Sequence, residues 1–73
     1  MNQRIKEVRL HLGLNQSEFG ERLAVTGAAI SRIEAGNREA SNQVILAICR
    51  EFDVNERWLR TGEGKMFLTK PRE

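Results

Sequence analysis

Tyrosine is absent from these 73 residues, and cysteine, histidine, proline and tryptophan each occur once. These scarcities remove whole classes of function. A lone thiol, Cys49, forms no internal disulfide, and with His11 as the single imidazole no zinc site can be assembled. Neither residue has the neighbouring base, thiol or carboxylate pattern that activates a nucleophile, so no enzyme, metal or cofactor is expected. No run of about 18 apolar residues is available to cross a membrane, and no apolar signal-peptide core follows Met1. A reduced, cytoplasmic setting is the expectation.

The length suits one domain and not two. A domain this small buries only about 60% of its unfolded surface, which favours helices because their contacts are local. Twelve basic residues, nine of them arginine, stand against ten acidic ones and leave a formal charge of +2. That balance excludes an indiscriminate basic coat for nucleic acid. It fits a domain with one basic face and acidic residues elsewhere.

Apolar spacing predicts five helices and no sheet, an all-α domain. Ile5, Val8 and Leu12 place a first amphipathic helix at about Asn2 to Leu12, ended by Gly13. Asn15 with Glu18 forms a capping box for a second helix, about Gln16 to Leu23. Thr26 caps a third helix that runs through Glu34 to the stop at Gly36. Ser41 caps a fourth, with Ile45, Ile48, Cys49 and Phe52 along its inner stripe. Asn55 caps a short fifth helix anchored by Trp58, and Met66 and Phe67 are expected to fold back onto the domain. Residues 1–68 read as one domain. Residues 69–73, with Pro71, read as a flexible tail or the start of a linker to a longer regulator.

The segment QSEFGERLAVTGAAISRIE, Gln16 to Glu34, carries the functional signal. Phe19 and Leu23 mark one helix face, and Gly20 leaves room for another helix to approach closely. Ile30 and Ile33 mark the inner face of the next helix. The turn between them is brief enough for a helix-turn-helix at about residues 16–35, whose second helix can offer its outer face to the DNA major groove.

On that outer face Arg32 is the candidate base reader, since guanidinium pairs bidentately with guanine O6 and N7. The plainer alternative is a solvated arginine or a salt bridge. Ser31 lies on a similar side and reaches a base or a phosphate. Gly27 and Ala28 offer no side-chain hydrogen bond. They either allow close approach to the groove, with Ala28 touching a thymine methyl, or are simply small residues at a helix start. Thr26 is a cap that is also placed to donate to a phosphate. Asn42 and Gln43, beginning the fourth helix, place free backbone amides where a phosphate is a possible partner.

Three blocks, LGLNQSEFGERL, ISRIEAGNR and DVNERWLRTGEG, occur in an order that resembles the DNA-binding domain of the phage lambda-type repressor and Cro helix-turn-helix family. The similarity extends from about Arg4 to Phe67. It implies a lambda repressor-like five-helix fold and a regulator, most simply a repressor, that binds duplex DNA at a palindromic operator as a homodimer. It also implies a phosphate contact by Gln16, made beside Asn15, although both residues also suit plain capping. Asn37 and Arg38 match positions that face the DNA backbone in the family. Arg9 and Glu34 match a partly buried ion pair that joins the first helix to the end of the third.

The chain departs from the family pattern in two places. Ala24 stands where the turn usually has glycine, and Gly27 with Ala28 stand where polar residues are common. A dimer contact is expected near the turn before the fifth helix, Val54 to Arg57. The rival from another class is a protein-interaction module of the same fold, such as an antitoxin-like or anti-repressor partner.

Overall fold

Each helix stops at a residue whose backbone turns left-handed. Gly13 (φ 73°), Ala24 (62°), Gly36 (84°), Asp53 (56°) and Gly62 (87°) follow α1 (Asn2–Leu12), α2 (Gln16–Arg22), α3 (Gly27–Glu34), α4 (Asn42–Phe52) and α5 (Glu56–Thr61). These are the helices of the computed structural model, which describes residues 2–68. Three of the stops share one hydrogen-bond pattern. After α1, the Gly13 N–H donates to the Leu10 carbonyl at 3.1 Å and the Leu14 N–H to the Arg9 carbonyl at 3.2 Å. The same pair of bonds recurs from Ala24 to Glu21 and Val25 to Gly20, and from Gly36 to Ile33 and Asn37 to Arg32. This Schellman arrangement satisfies carbonyls that the helix leaves unpaired. Ala24 thus adopts the glycine conformation of the turn, at a cost of about 1 kcal/mol.

The helix starts are capped by the side chains that the sequence offers. Asn15 Oδ1 accepts from the Glu18 N–H at 2.7 Å, while Glu18 Oε1 accepts from the Asn15 N–H at 3.0 Å. Thr26, Ser41 and Asn55 accept from the backbone N–H groups of Ala29, Val44 and Arg57. Each such cap stabilises its helix by about 1 kcal/mol.

Every helix contributes to one core. Ile5, Val8, Phe19, Ile30, Ile48, Val54 and Leu59 are fully buried. The Phe19 and Phe52 rings stack with centroids 5.4 Å apart, and the Arg22 guanidinium lies 5.2 Å above the Phe52 ring. Arg22 also pairs with Glu51 at 2.9 Å, holding α2 to α4. In α5 the anchor is Leu59, whereas Trp58 is only half-buried against the same core. Leu59 follows Trp58 by one residue, so the helix turns it inward instead.

Residues 66–68 do return to the domain. Val54 and Phe67 form an isolated antiparallel bridge, flanked by bonds from the Asn55 N–H to the Met66 carbonyl and from the Leu68 N–H to the Asp53 carbonyl. No strand forms among the described residues. This pairing also corrects one expectation. Val54 is sealed in the core and cannot contribute its side chain to a dimer surface, which leaves Glu56 and Arg57 as the exposed residues of that turn. The proposed tail, residues 69–73, lies outside the described residues.

Candidate nucleic-acid interface

The helix-turn-helix depends on two glycines, both acting inside the motif. A Cβ at Gly20 would stand 2.8 Å from the Val25 carbonyl oxygen and 2.9 Å from that of Thr26. The close neighbour for which Gly20 makes room is therefore the backbone of the turn, not another helix. At Gly27 a Cβ would lie 3.0 Å from Ser17 Cα and 3.2 Å from Ser17 N. The side-chain direction at position 27 is thus taken up by the start of α2. Gly27 allows α3 to pack on α2, an internal role that stands beside the close approach to the groove expected at this position.

Beyond that packing, α3 has two distinct faces. Ile30 and Ile33 are buried, while Ala28, Ser31 and Arg32 are exposed. Arg9, Arg22, Arg57 and Arg60 sit in ion pairs, and Arg4 donates to the carbonyls of Leu59 and Arg60. Arg32 and Arg38 pair with no carboxylate among the described residues. Their charge is available to an outside partner.

The remaining candidates differ in how free their polar groups are. Thr26 is exposed, with its oxygen accepting the Ala29 N–H at 3.0 Å. A hydroxyl that accepts still carries a proton to donate. Asn15 uses Oδ1 in its cap. Asn37 and Arg38 are exposed in the loop after α3, and Arg38 lines an open groove of about 510 Å³ together with Ile33, Ala40 and Ile45. Gln43 is exposed at the start of α4. Asn42 is more committed, because its Oδ1 accepts a short hydrogen bond from Arg60, which also pairs with Glu56. The Asn42 side chain is thus linked to α5, by a bond that does not use the backbone N–H expected to meet a phosphate.

Gln16 is likewise engaged. Its Nε2 donates to Glu34 Oε1 at 3.2 Å. The same carboxylate receives Arg9 through two bonds, Nε to Oε2 at 2.7 Å and Nη2 to Oε1 at 3.1 Å. Arg9 Nη1 donates in addition to the Leu14 carbonyl at 2.9 Å. The Arg9 and Glu34 side chains are 11% and 4% exposed, so this is a buried pair joining α1, the following loop and the end of α3. Breaking one partner of such a pair costs about 3–5 kcal/mol. The link from Glu34 to Gln16 escaped the sequence reading, as did Arg60. Neither leaves a local signal.

The chemistry of the remaining groups is quiet. Burial pushes the Cys49 thiol up, Glu56 pushes in the same direction, and Arg60 opposes them. A thiol held protonated is a poor nucleophile. Among the described residues no three histidine, cysteine or acidic side chains converge to hold a metal, and no helix is long and apolar enough to cross a membrane.

Comparison with known proteins agrees with this geometry. The helix-turn-helix family model matches residues 5–59. The chain is 36% identical over 70 residues to the propionyl-CoA carboxylase regulator of Cereibacter sphaeroides, covering 96% of this chain but 15% of that protein. It is 33% identical over 54 residues to the HTH-type transcriptional regulator YgzD of Bacillus subtilis, covering 74% of this chain and 82% of the relative. Among solved structures, the P22 c2 repressor in complex with a synthetic operator superposes with a TM-score of 0.76 at 26% identity, over 85% of this chain and 94% of that one. The chain belongs to the lambda repressor-like helix-turn-helix family.

Proposed function

We propose that the protein is a sequence-specific repressor that reads the major groove of duplex DNA with α3 and acts as a homodimer on a palindromic operator. One observation carries this reading: Arg32 and Ser31 share the exposed face of α3, and Arg32 has no carboxylate partner among the described residues. Arg32 is assigned to a guanine edge, Ser31 to a base or phosphate, and Ala28 to a thymine methyl. Gln16, Asn15, Thr26, Asn37, Arg38 and Gln43 are assigned to phosphates, which fix orientation without reading sequence. Asn42 joins them through its backbone N–H. The likeness to a repressor whose solved structure includes an operator supports the assignment.

Two copies would read half-sites about one helical turn, roughly 34 Å, apart. Selection of bound fragments from random duplexes tests this directly. The expected result is an enriched inverted repeat with about 10 base pairs between half-site centres, bound less tightly as salt rises. No enrichment, together with affinity indifferent to salt, would instead favour a protein partner on this fold.

A further inference from the structure

We infer that Glu34 is a positioning residue for DNA-backbone binding: neutralised by Arg9, its carboxylate aims the Gln16 amide. This rests on the reading above in which Gln16 meets a phosphate. The Glu34 side chain is 4% exposed, and both of its oxygens are occupied. Oε2 receives Arg9 Nε, while Oε1 receives both Arg9 Nη2 and Gln16 Nε2.

An ionised carboxylate only accepts hydrogen bonds, so the amide atom turned toward it must be the nitrogen. That settles which way the Gln16 amide points. The nitrogen carries a second N–H, which is left for another acceptor. A phosphate oxygen is such an acceptor and has no donor of its own. A glutamine free to rotate would lose that freedom on binding, whereas one held in advance has already lost it on folding.

An acidic group beside a phosphate site would ordinarily repel the ligand. Here the two-bond guanidinium of Arg9 cancels the charge while leaving Oε1 able to accept a further bond. The three residues belong to α1, α2 and α3. One carboxylate therefore fixes both the end of the recognition helix and the donor at the start of its neighbour. The base-reading face and the backbone contact are held in a common register.

The first test needs no substitution and no DNA. Gln3 and Gln43 are exposed and serve as internal references. In NMR spectra of the free protein, one Gln16 side-chain N–H is expected to exchange about tenfold more slowly than theirs, with restricted motion of the amide. A Gln16 amide as mobile as those of Gln3 and Gln43 would overturn the proposal.

The second test replaces the pair as a unit, Arg9→Met with Glu34→Met. Replacing both members of a buried pair by apolar residues of similar volume often preserves stability. Net charge is unchanged, so the salt dependence should also persist. The melt is expected to stay near that of the parent while affinity for random duplex falls about as far as in Gln16→Ala. Adding Gln16→Ala to the paired variant should then change affinity by less than about twofold, because the two act through one contact. Parental affinity in the paired variant would make Arg9 and Glu34 structural only. If Gln16→Ala alone binds as the parent does, the phosphate reading of Gln16 fails, even with an ordered amide. The NMR result stands whether or not the paired variant folds.

Discussion

Gly27 lies against the backbone of Ser17 so closely that a Cβ would come within 3.0 Å of Ser17 Cα. This contact sets how deeply α3 seats on α2. In Gly27→Ala, crowding costs about 1–3 kcal/mol, while the better helix propensity of alanine returns up to about 1 kcal/mol. Stability should therefore fall by no more than about 3 kcal/mol. Operator affinity should fall about tenfold, since α3 must move outward and tilt its exposed face. Parental affinity measured by mobility shift would mean that Ser17 yields without moving α3.

Arg32→Ala is expected to weaken binding to the preferred site by about 1–3 kcal/mol and to leave random duplex almost unaffected. Titrations against the selected operator and a scrambled duplex decide this. Equal losses on both would move Arg32 from the bases to the backbone.

Arg38→Ala should behave in the opposite way. Both duplexes should weaken together, and the slope of log affinity against log salt should flatten by about one unit. An unaltered slope would remove Arg38 from the phosphate surface.

Ala28→Leu tests the groove side of α3. Residue 28 is exposed, so the fold should tolerate the larger side chain. The added bulk should keep α3 from entering the major groove, with a parental circular-dichroism melt and a loss of operator binding. Full operator affinity in this variant would mean that the face is not inserted, and a protein-binding role would gain.

Ala24→Gly isolates the strain in the turn. Alanine at φ 62° is disfavoured by about 1 kcal/mol, partly offset by the greater freedom of glycine in the unfolded chain. The variant is expected to melt up to about 4–8 °C higher, the shift that 1 kcal/mol produces in a domain of this size. A lower melting temperature would show that the Ala24 methyl group contributes packing that outweighs the strain.

Local chemistry explains which features the sequence made readable. The Asn15–Glu18 capping box and the stops at Gly13 and Gly36 involve residues a few positions apart, where bond geometry leaves few alternatives. The burial of Ile5, Val8, Phe19, Ile30 and Ile48 follows from helical periodicity in the same way. Arg9 and Glu34 were different: 25 residues separate them, and their pairing came from family likeness, not from spacing. The bond from Gln16 to Glu34 and that from Arg60 to Asn42 were not legible at all. Each depends on how helices cross in space, and many arginines and glutamines of similar surroundings make no such contact. The inward direction of position 27 was hidden for the same reason.

Arg4 gives the fold an order in time. Its guanidinium donates to the Leu59 and Arg60 carbonyls, each at 2.9 Å, partners 55 and 56 residues downstream. During synthesis the whole of α2 and α3 emerges before either carbonyl exists. The helix-turn-helix can therefore assemble from nearby contacts, with the outer end of α1 held to α3 by the Asn2 bond to the Glu34 carbonyl. The Arg4 link waits until α5 has been made. Closing so long a loop is opposed by chain entropy, and the nearby contacts formed earlier shorten the stretch that must be closed. A nascent chain halted after α4 would hold α3 but lack the clasp between α1 and α5.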